Sequence, residues 1–235
     1  MTETKFSLCE FADGALLAQS FADWTAALLA AGVAARGLAL FVVSGGLTPK
    51  LYFEALSKRD IDWSRVAVTL ADERRVPDDS PRSNARLVRE TLLKDKAAKA
   101  QFYPLADSRL GDERELSLAS ARLAQLPMPA DLVVLGMGDD GHTASWFPHS
   151  PDLSETIDPA ARALVAATPA PDGLEPRLTL TGRALLRARH LALQIEGPKK
   201  AEVFERAREC GPVEEMPIRA VLRGAGDRLT VFKAA

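Results

Sequence analysis

Apolar runs that stop abruptly at glycine or charged residues alternate with helical patterns along most of this chain. The runs that open segments 38–44, 65–74 and 131–142 are almost uninterrupted, which is typical of strands covered on both faces. Strands separated by helices favour parallel crossover connections. The alternation therefore predicts an α/β fold with a mostly parallel, Rossmann-like sheet covered by helices on both faces. Both halves share the pattern, so residues 1–235 are predicted to form a single domain.

The same pattern predicts individual elements. Leu17, Phe21, Trp24 and Leu28 recur at helical spacing and are expected to form one buried stripe. Ser83 is the predicted N-cap of its helix, and Thr48 is expected to cap another whose first turn holds Pro49. The proline-rich stretch 167–176 is interpreted as a surface loop. The predicted helices are 15–32, 52–58, 83–96, 112–126, 198–209 and 217–224, and the further strands are 161–168, 190–197 and 228–234.

Composition excludes several classes of protein. The formal net charge is -2, so no broad basic surface is available for nucleic acid. No segment holds 18 uninterrupted apolar residues and the N-terminus lacks a signal-peptide pattern, so neither a membrane span nor export is expected. The two distant cysteines form no disulfide framework and fit a reducing, cytoplasmic location. The expected assembly is a monomer or a small homo-oligomer.

The first strand-to-helix junction contains two consecutive glycines. Ser44, Gly45, Gly46 and Thr48 follow the run at 38–44. An ordinary capped turn explains Thr48 and one glycine, whereas backbone N–H groups left free at such a junction bind anions, most often phosphate. Both interpretations stay open at this point. The stretch is neither a Walker loop nor GxGxxG, so nucleotide binding is not indicated.

Two later junctions carry titratable side chains. Asp72 and Arg74 directly follow a predicted strand, where a carboxylate acts as an acid, a base or an orienting group and an arginine reaches an anion. His142 follows three glycines in the loop after the next strand, and the ordinary pKa of histidine suits proton transfer at neutral pH. Asp139 and Asp140 lie beside it. No second histidine or thiolate stands at ligand spacing, so no metal site is predicted.

Five motifs in order resemble the 6-phosphogluconolactonase family over nearly the whole chain. They are Ser-Gly-Gly-Leu-Thr-Pro at 44–49, Asp-Glu-Arg at 72–74 with Val-Pro at 76–77 and Ser-Asn at 83–84, Leu-Gly-Met-Gly-Asp-Asp-Gly-His-Thr-Ala-Ser at 135–145 with Phe-Pro at 147–148, Arg-Leu-Thr-Leu-Thr at 177–181, and Gly-Pro-Lys-Lys at 197–200.

The resemblance implies an enzyme that hydrolyses 6-phospho-D-glucono-1,5-lactone, in the oxidative pentose phosphate pathway, without metal or organic cofactor. His142 is then the expected general base, and Asp72 orients either the imidazole or a sugar hydroxyl. No G-x-S-x-G serine is present, so an acyl-enzyme is not expected. The phosphate holders implied are Ser44, Gly45, Gly46 and Thr48, helped by Arg177 and Lys200, with Arg74 nearby.

The sequence also departs from the family pattern at three positions. Arg75 replaces a small or neutral residue and is expected to add to the anion site, whereas Trp146 and His149 replace an aliphatic residue and a glycine and bear on loop shape.

Two alternatives remain on sequence grounds. A glucosamine-6-phosphate deaminase has a similar Asp-Gly-His loop, but its pattern reads Asp-Glu-Tyr at 72–74 and Ile-Ala-Phe-Asn at 143–146. A non-catalytic sugar-phosphate sensor would be expected to lack Asp72 or His142, and both are present.

Overall fold

A seven-stranded parallel sheet forms the centre of the molecule, in the strand order β1-β10-β9-β6-β2-β3-β5. The computed structural model describes residues 5–106 and 112–235. Residues 1–4 of the N-terminal segment discussed above lie outside them. The strands are β1 Ser7–Phe11, β2 Ala39–Val43, β3 Val66–Leu70, β4 Asp72–Arg74, β5 Gln101–Tyr103, β6 Leu132–Leu135, β7 Val165–Thr168, β8 Arg177–Leu180, β9 His190–Glu196 and β10 Leu229–Ala234.

Helices connect and flank these strands, which confirms the predicted α/β class. They are α1 Gly14–Arg36, α2 Lys50–Leu56, α3 Asn84–Thr91, α4 Asp112–Ala124, α5 Leu153–Thr156, α6 Gly182–Leu185, α7 Pro198–Arg208 and α8 Ile218–Gly224, with 3-10 turns at Trp63–Arg65, Asp95–Lys99, Pro171–Gly173 and Gly226–Arg228.

The strand order reverses direction between β2 and β6. From β2 the chain moves outward through β3 to β5, then returns to place β6 on the other side of β2 and continues to β9 and β10. Every residue of β2, β3 and β6 is buried, as their apolar runs predict. Connections on the two sides of such a switch point diverge, and the crevice they leave at the carboxyl ends of the strands is where ligands bind in this class of sheet.

A second, antiparallel sheet joins β4, β8 and β7. The sequence counts the apolar run 161–168 among the strands of a mostly parallel sheet, but β7 belongs to this smaller sheet. The two inner residues of β7 are not fully buried, so it lacks the two-sided cover of the central strands. The small sheet lies after the carboxyl end of β3 and brings segments about a hundred residues apart together.

Helix α1 packs against α2 and the sheet. Asp13 caps it, accepting a hydrogen bond from the N–H of Leu16 at 2.8 Å. Its length and apolar composition are also those of a membrane-crossing helix, but here one face is built into the hydrophobic core. The predicted stripe is half right, because Trp24 and Leu28 are only partly buried. The fully buried positions of the helix are Leu17, Ala18, Phe21, Ala22, Thr25, Leu29 and Gly32.

The two predicted caps differ in outcome. Ser83 caps α3 as predicted, since its hydroxyl accepts a hydrogen bond from the N–H of Arg86 at 3.1 Å. The prediction for Thr48 is wrong, because α2 begins at Lys50 and its N-cap position falls on Pro49. Thr48 stands one residue too early to cap, and its carbonyl instead accepts a hydrogen bond from Gln194 at 3.3 Å.

Candidate active site

One cleft of about 780 Å³ opens at the switch point between β2 and β6. Its walls come from the loops after β2, β3 and β6, from β8 and β9, and from the start of α7. Segments from 44 to 200 in the sequence therefore meet at one edge of the sheet. Nine of the residues assigned to the site from the sequence line this cleft: Ser44, Gly45, Gly46, Thr48, Asp72, Arg74, His142, Arg177 and Lys200.

His142 lies in the cleft with its imidazole held by a neighbouring carboxylate. Nδ1 of His142 is 2.6 Å from Oδ1 of Asp140, and the same oxygen accepts the N–H of His142 at 3.1 Å. Burial would raise the pKa of Asp140, but its hydrogen bonds to His142 and the histidine's charge outweigh that effect and hold the pKa below its ordinary value. A carboxylate on Nδ1 favours the tautomer with the proton on that nitrogen, which leaves Nε2 as an acceptor.

Sequence reasoning considered Asp140 only as a metal ligand and missed this contact. The available signal was local: an aspartate two residues before the histidine, next to a glycine, forms a turn in which its carboxylate accepts a nearby backbone N–H. Gly138 makes the arrangement possible, because a Cβ there would lie 2.1 Å from Nδ1 of His142.

The rest of the glycine loop, residues 136–147, is anchored by side chains. Thr143 donates its hydroxyl to the carbonyl of Gly136 at 2.8 Å, and the indole of Trp146 donates to the carbonyl of Leu180 at 3.0 Å. Trp146, a departure from the family pattern, is fully buried and thus ties the loop to β8.

Asp72 begins β4 and is 7% exposed. Its Oδ2 accepts the hydroxyl of Ser145 at 2.6 Å, and its carbonyl accepts the amide of Asn84 at 2.9 Å. Of the two roles left open for Asp72, contact with the imidazole belongs instead to Asp140. Ser145 is 73 residues from Asp72, and Asn84 lies on another element, α3. Spacing along the sequence could therefore not predict either contact.

Asn84 connects three parts of the cleft wall and was given no role from the sequence. Its Oδ1 accepts a hydrogen bond from Arg74 at 3.1 Å while its amide reaches Asp72. It also packs against the first junction, where a Cβ on Gly45 would lie 1.9 Å from Oδ1 of Asn84. Glycine is therefore required at 45 for close approach.

Glu73 is a buried structural carboxylate. It accepts the N–H groups of Arg74 at 2.7 Å, Asn84 at 2.8 Å and Ala85 at 2.7 Å. Burial raises its pKa, and these three hydrogen bonds counteract the shift. The charged segment 72–75 thus includes one residue that fixes the start of α3.

Arg74 and Arg177 face each other across the small sheet, in register on β4 and β8. Like charges opposite one another are unfavourable, and neither arginine forms an ion pair within the residues that the structure describes. Burial lowers the pKa of Arg177, the charge of Asp72 opposes that shift, and the charge of Arg74 adds to it. Nε of Arg74 is buried without a partner in the same described region. Two guanidinium groups that lack an ion-pair partner among the described residues favour an anionic ligand in the cleft.

Phe147 lies beside both the histidine and one of these arginines. The centroid of the Phe147 ring is 5.2 Å from the centroid of the His142 ring and 5.8 Å from the guanidinium carbon of Arg177. The apolar ring thereby limits where both polar groups can move.

The first junction leaves its donors unused. Across residues 5–106 and 112–235, the N–H groups of Gly45, Gly46, Leu47 and Thr48 donate to no protein acceptor. The hydroxyl of Ser44 is likewise buried and unpartnered. Gly46 has φ 98°, which a residue with a side chain rarely adopts. This is the geometry expected of an anion cradle and not of a self-satisfied turn.

Lys200 reaches the cleft from the first turn of α7. Its Nζ donates to the carbonyl of Met137 and lies 3.5 Å from Oδ1 of Asp139. Lys199 pairs with the other oxygen of Asp139 at 2.6 Å but is largely exposed. Only the second of the two lysines lines the cleft.

The expectation that Arg75 adds to the anion site is wrong. Arg75 forms an ion pair with the buried carboxylate of Glu115 on α4, and it does not line the cleft. Its charge is engaged by that pairing.

Across the described ranges, 5–106 and 112–235, no group of three or more histidine, cysteine, aspartate or glutamate side chains is arranged to hold a metal ion.

Comparisons with known proteins identify the family of this chain. The family described as glucosamine-6-phosphate isomerases/6-phosphogluconolactonase matches residues 12–231. A 6-phosphogluconolactonase of Rhizobium meliloti is 49% identical over 224 residues, covering 95% of this chain and 97% of its own. One from Pseudomonas aeruginosa is 44% identical over 206 residues, covering 88% and 87%.

Solved structures give the same result. The crystal structure of a 6-phosphogluconolactonase from Shewanella baltica superposes with a TM-score of 0.93 at 42% identity, covering 100% of this chain and 99% of the other. The resemblance inferred from five motifs is confirmed: the chain belongs to the family of glucosamine-6-phosphate isomerases and 6-phosphogluconolactonases.

Proposed function

We propose that this chain is a 6-phosphogluconolactonase, hydrolysing 6-phospho-D-glucono-1,5-lactone to 6-phospho-D-gluconate in the oxidative pentose phosphate pathway. Relatives carrying that name reach 49% identity over almost the whole chain. The observation that carries the proposal is the content of one cleft: an imidazole paired with a carboxylate and a separate set of unpaired donors for an anion.

His142 is the general base. With Asp140 on Nδ1, Nε2 is the nitrogen available to take a proton from an attacking water. Asp140 also stabilises the imidazolium that forms, because its carboxylate remains ionised at neutral pH. The imidazolium then returns the proton to the ring oxygen as the ester bond breaks. A δ-lactone is an activated ester, so general acid–base help of about 10²–10⁴-fold is a sufficient contribution from this pair.

The phosphate of the substrate positions the lactone. The free N–H groups of the first junction, residues 44–48, are its proposed cradle. Arg177 and Lys200 supply positive charge to the phosphate. Arg74, which lies opposite Arg177, adds a second guanidinium group to the same binding site. Asp72, 7% exposed on the same wall, is proposed to hold a sugar hydroxyl through the carboxylate oxygen that Ser145 does not occupy.

The remaining expectations follow from the same assignment. The reaction uses no metal or organic cofactor, and the partner is the phosphosugar lactone, without nucleic acid or membrane. The protein is a cytoplasmic monomer or small homo-oligomer, folded as one domain over residues 1–235.

A coupled assay tests the activity. Glucose-6-phosphate dehydrogenase generates the lactone in place, and its disappearance is followed with and without the purified protein. The expected result is a rate well above spontaneous hydrolysis that is unaffected by a strong chelator. Disappearance at the spontaneous rate, or release of ammonia from glucosamine 6-phosphate instead, would exclude the lactonase assignment.

A further inference from the structure

Ser145 is a buried hydroxyl bonded to a residue of the cleft without lying in the cleft itself. It is 1% exposed and is absent from the cleft lining, although Ala144 and Phe147 on either side of it line that space. Its Oγ donates to Oδ2 of Asp72 at 2.6 Å, a short hydrogen bond to a charged acceptor. Ser145 therefore cannot touch a ligand and acts only through what it holds.

The Asp72 carboxylate has no other close donor within residues 5–106 and 112–235. The amide of Asn84 approaches its Oδ1 at 3.5 Å, a long and weak contact compared with its 2.9 Å bond to the carbonyl of Asp72. Arg177 attracts the carboxylate by charge, but the two form no ion pair within 4.0 Å in that described region. The hydroxyl of Ser145 is thus the closest donor to this carboxylate within the described residues.

The turn that carries Ser145 is itself held in place. Ala144 has φ 49°, a left-handed conformation that costs an alanine energy, and the next residue, Ser145, is buried. The N–H of Ser145 donates to the hydroxyl of Thr179 at 3.3 Å, and the indole of Trp146 is bonded to β8. A strained position secured by several contacts is a sign that the placement of its neighbour matters.

We propose that Ser145 is a positioning residue that fixes the Asp72 carboxylate and leaves its other oxygen directed at the substrate. The bond also joins the loop of His142 to β4, so that the proposed general base and the proposed sugar-binding carboxylate keep one relative placement. This inference rests on the role proposed above for Asp72, and a substitution cycle separates the two.

The cycle compares Ser145→Ala in the parent and in an Asp72→Asn background, with spontaneous hydrolysis subtracted. In the parent, loss of a hydrogen bond to a charged group is expected to lower kcat about ten- to hundredfold, with KM for the phosphorylated lactone changed less than about twofold. In the Asp72→Asn background the same substitution is expected to change kcat less than about threefold, because the group it positions is gone.

A matched control and a second variant keep the result interpretable. Thr181→Val removes another buried hydroxyl of this region, which donates to the carbonyl of Ala163 at 2.7 Å, and is expected to leave kcat unchanged. Ser145→Cys keeps the volume with a much weaker donor and replaces Ser145→Ala if the latter fails to fold.

The outcomes are distinct. An equal loss in both backgrounds, or no loss in the parent, overturns the positioning role of Ser145. An Asp72→Asn protein with near-parental activity overturns the role of Asp72, and with it this inference, while leaving the proposed lactonase activity and His142 untouched.

Discussion

The two glycine-containing loops of the cleft differ in how many of their polar groups have hydrogen-bond partners within the protein. In the glycine loop, residues 136–147, the side chains of Asp140, His142, Thr143, Ser145 and Trp146 all have protein partners. In the first junction, residues 44–48, four consecutive N–H groups and the hydroxyl of Ser44 have none among the described residues. In the proposed mechanism, this difference means that the general base is held in place before substrate arrives, whereas the donors proposed to bind the phosphate have no partner among the described residues.

The largest loss of activity is expected from removing the proposed general base, His142, from the glycine loop. His142→Ala should lower kcat/KM by about 10²–10⁴-fold, the range for loss of general acid–base catalysis, without lowering the melting temperature. The control is His190→Ala. His190 begins β9, at the end of the strand away from the cleft, and its loss should leave activity unchanged. A folded His142→Ala protein with near-parental kcat/KM would show that the glycine loop does not carry the chemistry.

The next effect tests whether placement within that loop matters as much as residue identity. Gly138→Ala puts a methyl group 2.1 Å from Nδ1 of His142 and must displace the imidazole. Misplacement of a reacting group by about 1 Å is expected to lower kcat about 10²-fold. Gly136→Ala is the matched control, because a Cβ there meets nothing within 4 Å. Similar kcat values for the two variants would contradict a preorganised imidazole.

The anion-binding side is tested through its lysine. Lys200→Ala removes a charge-assisted contact worth about 1.5–3 kcal/mol, or roughly ten- to over a hundredfold in kcat/KM on the phosphorylated lactone. Hydrolysis of unphosphorylated gluconolactone should barely change. Lys199→Ala is the control, since Lys199 pairs with the same Asp139 but is 74% exposed. Equal losses on both substrates would assign Lys200 to folding or to the chemistry, and remove the contrast between the two sides.

The smallest effect concerns strain just beyond the glycine loop. His149 is exposed and has φ 58°, where the family pattern has glycine. His149→Gly should therefore raise the free energy of unfolding by about 0.5–1 kcal/mol, since relief of the left-handed strain exceeds the entropy lost by glycine. Urea unfolding measures the change, and kcat should not move. A destabilised variant would mean that the imidazole of His149 makes a compensating contact.

Much of the fold could be predicted from the sequence because each buried strand of a parallel sheet appears as a continuous apolar run. Strands β2, β3 and β6 are covered on both faces, so their apolar runs mark them, and their ends mark where ligand-binding residues must stand. The sequence missed β1 and β5, the edge strands, which are short and partly exposed and therefore lack that signature. It also missed β8, which is buried but only four residues long and alternates polar with apolar residues.

The site was readable as a set of residues but not as a set of contacts. Position after a strand placed His142 and Asp72 at the same edge, and the cleft contains both. The contact of Ser145 with Asp72 spans 73 residues, and the capping geometry expected at Thr48 was lost to a shift of a single residue. Such pairings depend on how separate elements dock, which spacing along one segment does not encode.

The pairing of Arg74 on β4 with Arg177 on β8 also limits how early this wall of the cleft can form during synthesis of the chain. Arg74 leaves the ribosome about a hundred residues before its counterpart, and β4 has no partner strand until β8 has been made. Such a pairing has high contact order and forms late, because a long loop must close before the contact is made. A nascent chain can therefore bring Arg74 and Arg177 together only after β8, late in the α/β domain, has been synthesised.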